Sequence, residues 1–403
     1  MRDLLPILKT LNHSRTAPML FVLQIAVTFM ILVNAAYMAV QKQSLLSRPS
    51  GLDEQNTFYV LTNLPGEAAS RAADIEQDLL ALKELSGVIN ASVTSGVPLT
   101  GWGNFLEVAT QADGDYDTFS GYYGGDNALL ETMGLTLVAG EGFTQAPLYA
   151  DTDGFRVATE IIITQALAQS LYPDDWRQVV GKTLYIDKRP QQVRGVVKSL
   201  QAAWSFWVVV EHSVLAPVIE TSEYVYYLVR SAPGQQAQAM ASTADYLMLR
   251  HGRKIEELMT FAEVKQQSYQ AEYAASMTLL WVVGCLSLVT ALGIFGQARF
   301  AVTRRLRQIG IRRALGAQQG QIVSYFMLEN ALLTLFGVAL GCVAAVVLNM
   351  QFSNWFELAT VPAEFFALGG ICMMLLGQAA TLAPACRAAK VSPAIASRLG
   401  ASR

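Results

Sequence analysis

RFAVTRRLRQIGIRRALGAQQGQ, running from Arg299 to Gln321, is the stretch on which the architecture turns. It holds six arginines (Arg299, Arg304, Arg305, Arg307, Arg312 and Arg313) and no acidic residue. It also joins two apolar segments, each long enough to cross a bilayer. Positive charge flanking membrane helices is retained on the cytoplasmic side, so this loop predicts the orientation of everything around it. Val302–Leu315 favours a helix, with Gly310 as its one weak helix former. Val302, Leu306 and Ile309 recur at i, i+4 and i+7, while most arginines fall on other faces. On charge alone the stretch is either a basic helix lying at the membrane surface or a plain topology signal.

Working outward, four apolar segments match a hydrocarbon thickness of about 30 Å: residues 17–40, 274–298, 322–350 and 365–385. Glu329 and Asn330 interrupt the third, and the fourth is expected to end near Pro384. Arg2, Lys9 and Arg15 precede the first segment. Its apolar run is longer than a signal-peptide core and lacks a small-residue cleavage pattern, so it reads as a retained helix. The three flanking patches are basic: residues 1–16, the 299–321 loop and the tail 386–403, where Arg387, Lys390, Arg398 and Arg403 meet no acid. Residues 41–273 instead hold 16 basic and 28 acidic residues. Four spans with both termini in the cytoplasm place this acidic segment and the short 351–364 loop on the far side of the membrane.

All four cysteines (Cys285, Cys342, Cys372, Cys386) lie in or beside the spans, so the external segment is expected to fold without a disulfide. Within it the apolar pattern becomes short and alternating. Strands are expected over residues 57–62, 88–94, 160–163, 183–186, 191–197 and 224–229, and helices over 67–85, 165–171 and 235–250. The alternation predicts a large α+β domain in two lobes. Residues 254–270 read as a charged helix continuous with the second span, and 41–46 as an extension of the first, together a helical stalk, with a plain solvated linker as the alternative. Trp102 in a glycine-rich turn, and Trp204 and Trp207 in the run AAWSFWVVV, are either core residues or, if exposed, contacts for an apolar ligand or protein partner.

Little else suggests chemistry. Gly181-Lys182-Thr183 ends like a phosphate-binding loop, but Trp176 stands where the first glycine belongs. No metal spacing or nucleophile–base pair stands out, and nothing points to nucleic acid. Few ionisable groups fall inside the spans, which argues against an ion-coupled transporter. Gly337 and Gly341 form a GxxxG that permits close helix approach, either within one subunit or across a dimer. Tyr273, Trp281, Trp355 and Phe356 suit interfacial aromatic belts.

The stretch VTRRLRQIGIRRALGAQQGQIVSYFMLENALLTLFGVALG (residues 302–341) resembles the signature of the FtsX/MacB-like ABC transporter permeases, also described as mechanotransmission permeases. LLETMGLTLVAGEGF (129–143), the segment 161–197 and APACRAAKVSPAIASR (383–398) are similar to the periplasmic core and C-terminal signature of the same family. The resemblance implies a non-catalytic permease subunit, dimeric with a second copy or a related permease. It would work beside a separate ATPase that binds ATP and magnesium, with no cofactor on this chain. By the same resemblance, Arg304, Arg305, Arg307, Ile309, Gly310, Arg312, Arg313, Ala314, Leu315 and Gly316, with Glu329, form the ATPase-coupling element. Efflux members carry cargo such as peptides, antibiotics or other amphiphiles onward through an adaptor and an outer-membrane channel. Others transport nothing and regulate a cell-wall hydrolase or a sensor kinase. The size of the external domain favours efflux. Gln308 and Arg304 stand where acids are common in the family, so either the loop meets an unusually acidic ATPase groove or the chain pairs with a different permease that carries the acids. Glu141 replaces a common arginine.

Overall fold

The computed structural model describes residues 16–112, 114–150, 157–356 and 360–390. Arg2, Asp3, Lys9, Arg15, Arg398, Arg403 and the side chains of Trp355 and Phe356 lie outside the described residues. Two units divide the chain: residues 47–271, and residues 1–46 with 272–403.

In chain order the elements begin with α1 (Thr16–Leu46), β1 (Thr57–Asn63), α2 (Ala68–Lys83), β2 (Val88–Thr94), β3 (Asn104–Ala109), β4 (Thr118–Gly124), α3 (Leu129–Met133), β5 (Leu137–Gly140) and β6 (Leu148–Ala150). They continue with β7 (Glu160–Thr164), α4 (Gln165–Leu171), β8 (Thr183–Ile186), β9 (Arg189–Val197), β10 (Ser213–Ala216), β11 (Val218–Glu220), β12 (Tyr224–Ser231), α5 (Gln236–Leu249), β13 (Ile255–Thr260) and α6 (Phe261–Ser268). The last four are α7 (Gln270–Arg304), α8 (Leu306–Ala314), α9 (Gln319–Phe356) and α10 (Ala363–Ala389).

The 47–271 unit contains two sheets with separate cores. One is antiparallel, in the order β13-β1-β12-β2. Ile75, Leu79 and Leu82 recur at helical spacing on α2 and pack with Phe58, Val60 and Tyr227 of this sheet. Asp78 projects from the same helix and is fully buried. A buried carboxylate is tolerated only with partners. Here the Tyr227 hydroxyl donates to it at 2.6 Å, Tyr246 at 3.1 Å and Arg253 Nη2 at 2.6 Å.

The second sheet has the order β5-β9-β7-β10-β4-β3-β8, and β8 pairs with β9 as well as β3. Six strands thereby close into a ring around Val108, Ile161, Ile163, Leu184, Val193 and Val214. Glu141 pairs with Arg194 at 2.6 Å.

The stalk expectation needs correction. Residues 255–260 form β13, an edge strand paired with β1, rather than the start of a long helix. Helix-favouring residues are overridden by that pairing, and the two glutamates suit a sheet edge. Helix α6 then starts at a capping box: Thr260 Oγ1 accepts from Glu263 N at 3.2 Å, while the Glu263 carboxylate accepts from Thr260 N at 2.9 Å. Tyr269 interrupts the helical course before α7.

In the other unit, α1, α7, α9 and α10 are all long and apolar enough to cross a membrane. Helix α10 runs past Pro384 to Ala389 instead of stopping there. Membrane helices tolerate such a proline, because neighbouring groups re-satisfy the freed carbonyl. Ser276 of α7 donates to the Ala39 carbonyl of α1 at 3.2 Å. A Cβ on Gly337 would lie 2.6 Å from Ile25, and one on Gly341 2.8 Å from the Ala26 carbonyl. The GxxxG face of α9 is therefore seated on α1 of the same chain.

Candidate functional site

The arginine-rich stretch is two helices, not one. Arg305 leaves the helical conformation, so α7 ends at Arg304 and α8 starts at Leu306. Gly316 closes α8 with φ of +98°, a conformation natural to glycine. Its N–H donates to the Arg313 carbonyl at 3.1 Å, and Ala317 N donates to Arg312 O at 3.0 Å. Those two bonds form a Schellman stop, which fixes where the chain turns into α9.

Despite the break, the apolar residues converge. Val302, Leu306 and Ile309 pack with Ile322 and Phe326 of α9 and with Ala385, Ala388 and Ala389 of α10. Gly310 is buried beside them. The face held inward is the one predicted from the i, i+4, i+7 spacing.

Polar contacts pin the same element. Arg305 Nη1 donates to Glu329 Oε2 of α9 at 2.6 Å, and the pair is largely shielded from solvent. Among the described residues, no other ion pair involves an arginine of this stretch. Arg312 lies over the Tyr325 ring at 5.0 Å, and Arg304 over its own helix's Phe300 at 4.8 Å. Arg313 Nη1 donates to the Ala317 carbonyl at 3.3 Å.

Arg304, Arg307, Gln308, Ile311, Arg312 and Ala314 are exposed, and Leu315 is 83% exposed. This outward face is cationic with two large apolar side chains and no carboxylate. Such a surface suits an acidic protein groove with apolar floor contacts. Beside it, a cavity of about 350 Å³ is lined by Phe21, Ile294, Phe300, Arg305, Phe326 and Glu329.

The tryptophans of the large unit fall into different environments. Trp102 is 78% exposed. Trp204 and Trp207 are half-buried and meet edge to face at 5.4 Å, each also against Phe105 at 5.9 and 6.1 Å. Trp102 and Trp204 line a cleft of about 410 Å³ together with Tyr59, Phe206, Tyr226 and Glu257. Trp207 stands behind Trp204. Sequence reading missed Tyr59, Tyr226 and Glu257, because the cleft gathers residues from opposite ends of the unit. Trp102 in its glycine-rich turn and the AAWSFWVVV run bearing Trp204 and Phe206 are the local signals.

Comparison with known proteins agrees with this architecture. The family model for the MacB-like periplasmic core domain matches residues 16–246, and that for the FtsX-like permease C-terminal region matches residues 281–393. The macrolide export ATP-binding/permease protein MacB of Neisseria meningitidis serogroup A is 26% identical over 315 residues, which is 75% of this chain and 46% of that protein. YknZ of Bacillus subtilis, described as an uncharacterized ABC transporter permease, is 24% identical over 334 residues, covering 81% of this chain and 79% of that one. The chain thus spans about half the length of the MacB relatives it matches. Among solved structures, the periplasmic region of MacB from Actinobacillus actinomycetemcomitans aligns with a TM-score of 0.36 and 17% identity, over 56% of this chain and 97% of that one. The core-domain match alone exceeds half the chain and the permease match continues it through the last helices, so the chain belongs to the FtsX/MacB-like family of ABC transporter permeases.

Proposed function

We propose that this chain is the transmembrane subunit of an exporter, driven by a separate ATPase that docks on α8. ATP and magnesium are bound by that partner and not by this chain. Residues 299–321 and both termini face the cytoplasm, and the 47–271 unit lies on the periplasmic side of the inner membrane. The subunit works as a dimer, with a second copy or a related permease. Its cargo consists of peptides, antibiotics or other amphiphiles, taken from the periplasm and passed on through an adaptor and an outer-membrane channel.

One observation carries this reading: α8 presents an acid-free arginine face outward while its other face is clamped to α9 and α10. A partner pushing on α8 cannot move it without displacing those two membrane helices. Nucleotide-driven closure of the ATPase thereby becomes a tilt of the spans.

Reversing charge at the docking face tests the idea. Arg312→Glu with Arg313→Glu is expected to abolish co-purification of the ATPase while membrane insertion and expression stay normal. Undiminished recruitment by that double variant would remove α8 as the docking element.

A further inference from the structure

We propose that the aromatic cleft of the large unit binds an organic cation with an apolar body, an alkyl- or arylammonium ion. Among the described residues five rings line it (Tyr59, Trp102, Trp204, Phe206 and Tyr226), and Glu257 is the one charged residue in the lining. Among the described residues no lysine or arginine lines the cleft, and Glu257 takes part in no ion pair. The neighbouring Glu256 is the one that meets Lys254, at 4.0 Å.

Tyr59 donates its hydroxyl to Glu257 Oε2 at 2.5 Å. Burial, reinforced by that hydrogen bond and by the Glu257 charge, pushes the Tyr59 phenol far above its ordinary range, so it remains a donor. An anion entering the cleft would meet uncompensated negative charge. A neutral apolar molecule would strip water from the carboxylate and give it no partner. A cation satisfies the carboxylate and also lies against the negative faces of the rings.

The walls are held ready. Leu99 and Gly101 both have left-handed backbones, with φ of 65° and 80°. Their N–H groups donate to the Ala202 and Ala203 carbonyls at 3.2 and 2.9 Å. These bonds fasten the turn bearing Trp102 to the strip bearing Trp204 and Phe206. A non-glycine residue in such a conformation costs energy and is characteristic of ligand clamps. Trp204 is in turn buttressed edge to face by Phe105 and Trp207. Trp102 and Phe206, 78% and 77% exposed, have no cover of their own.

This assignment narrows the cargo class of the proposed exporter, and it rests on that reading only for the fate of the bound cation. Binding is therefore measured without the ATPase. The full chain is placed in phosphatidylcholine nanodiscs and dialysed to equilibrium against benzyltrimethylammonium, with protein-free nanodiscs as the blank. One saturable site is expected, about tenfold tighter than for an uncharged benzyl ether of the same size. Glu257→Gln preserves the hydrogen bond from Tyr59, and Trp102→Ala alters an exposed position. Each is expected to weaken binding about fivefold or more. The Arg312→Glu, Arg313→Glu chain should bind the probe normally, which separates loss of this site from failure of the export reading. Absence of saturable binding above the blank, equal binding of the ether, or unchanged affinity in Glu257→Gln would each overturn the proposal. The first of these results, with cross-linking between copies through Trp102→Cys, would make the cleft a protein interface instead.

Discussion

Arg305 does two jobs. Its backbone ends α7, and its guanidinium reaches Glu329 on α9, 24 residues further along the chain. A charged hydrogen bond shielded from water is worth more than a surface pair, while an orphaned partner is costly. Glu329→Gln leaves the arginine uncompensated and is expected to lower stability by about 1–3 kcal/mol, measured by thermal unfolding in detergent. Adding Arg305→Gln removes the stranded charge, so the double variant should unfold closer to the parent than Glu329→Gln alone. If both behave like the parent, the pair contributes nothing and α8 is held by its apolar face only.

At the scale of elements, the α1–α9 contact depends on two missing side chains. Leucine at Gly337 would drive its Cβ into Ile25, and at Gly341 into the Ala26 carbonyl and Phe29. Overpacking of this kind costs about 1–3 kcal/mol, so Gly341→Leu should unfold earlier on heating than Gly284→Leu, where a Cβ meets open space. Equal melting of the two would show that α1 and α9 part readily.

The same scale shows what was legible from sequence. Strands with dense β-branched or aromatic runs, such as TFYVLT and EIIIT, announce themselves, and so does α2 through Ile75, Leu79 and Leu82. TFSGYYG of β4 does not, because its two glycines suppress strand propensity. Gly121 and Gly124 are there because a side chain would strike Ala202 and the Val218 carbonyl. IEELMT of β13 misleads in the opposite sense: its residues favour a helix locally, and only the partner strand β1 decides. Likewise, the inward face of α8 was readable from spacing, but the break at Arg305 was not. The aromatic cleft was least legible, since Glu257 and Trp102 meet only after both sheets form.

For the whole molecule, charge and architecture make one topological statement that labelling can check. On a cysteine-free background, Leu80→Cys sits at an exposed position of the acidic unit, and Gln318→Cys at an exposed position after α8. A membrane-impermeant maleimide should modify the first in intact spheroplasts and the second only after permeabilisation. The reverse pattern would invert the assignment of sides and with it the docking role of α8.

The closure of β8 onto β9 carries a mechanical consequence. A sheet with a free border unzips rung by rung when its end is tugged, whereas a hoop of six strands offers no border from which to start. Its rungs share a load instead of failing in turn. Opening this barrel therefore calls for several strand pairings to break together, so its six strands hold as one body.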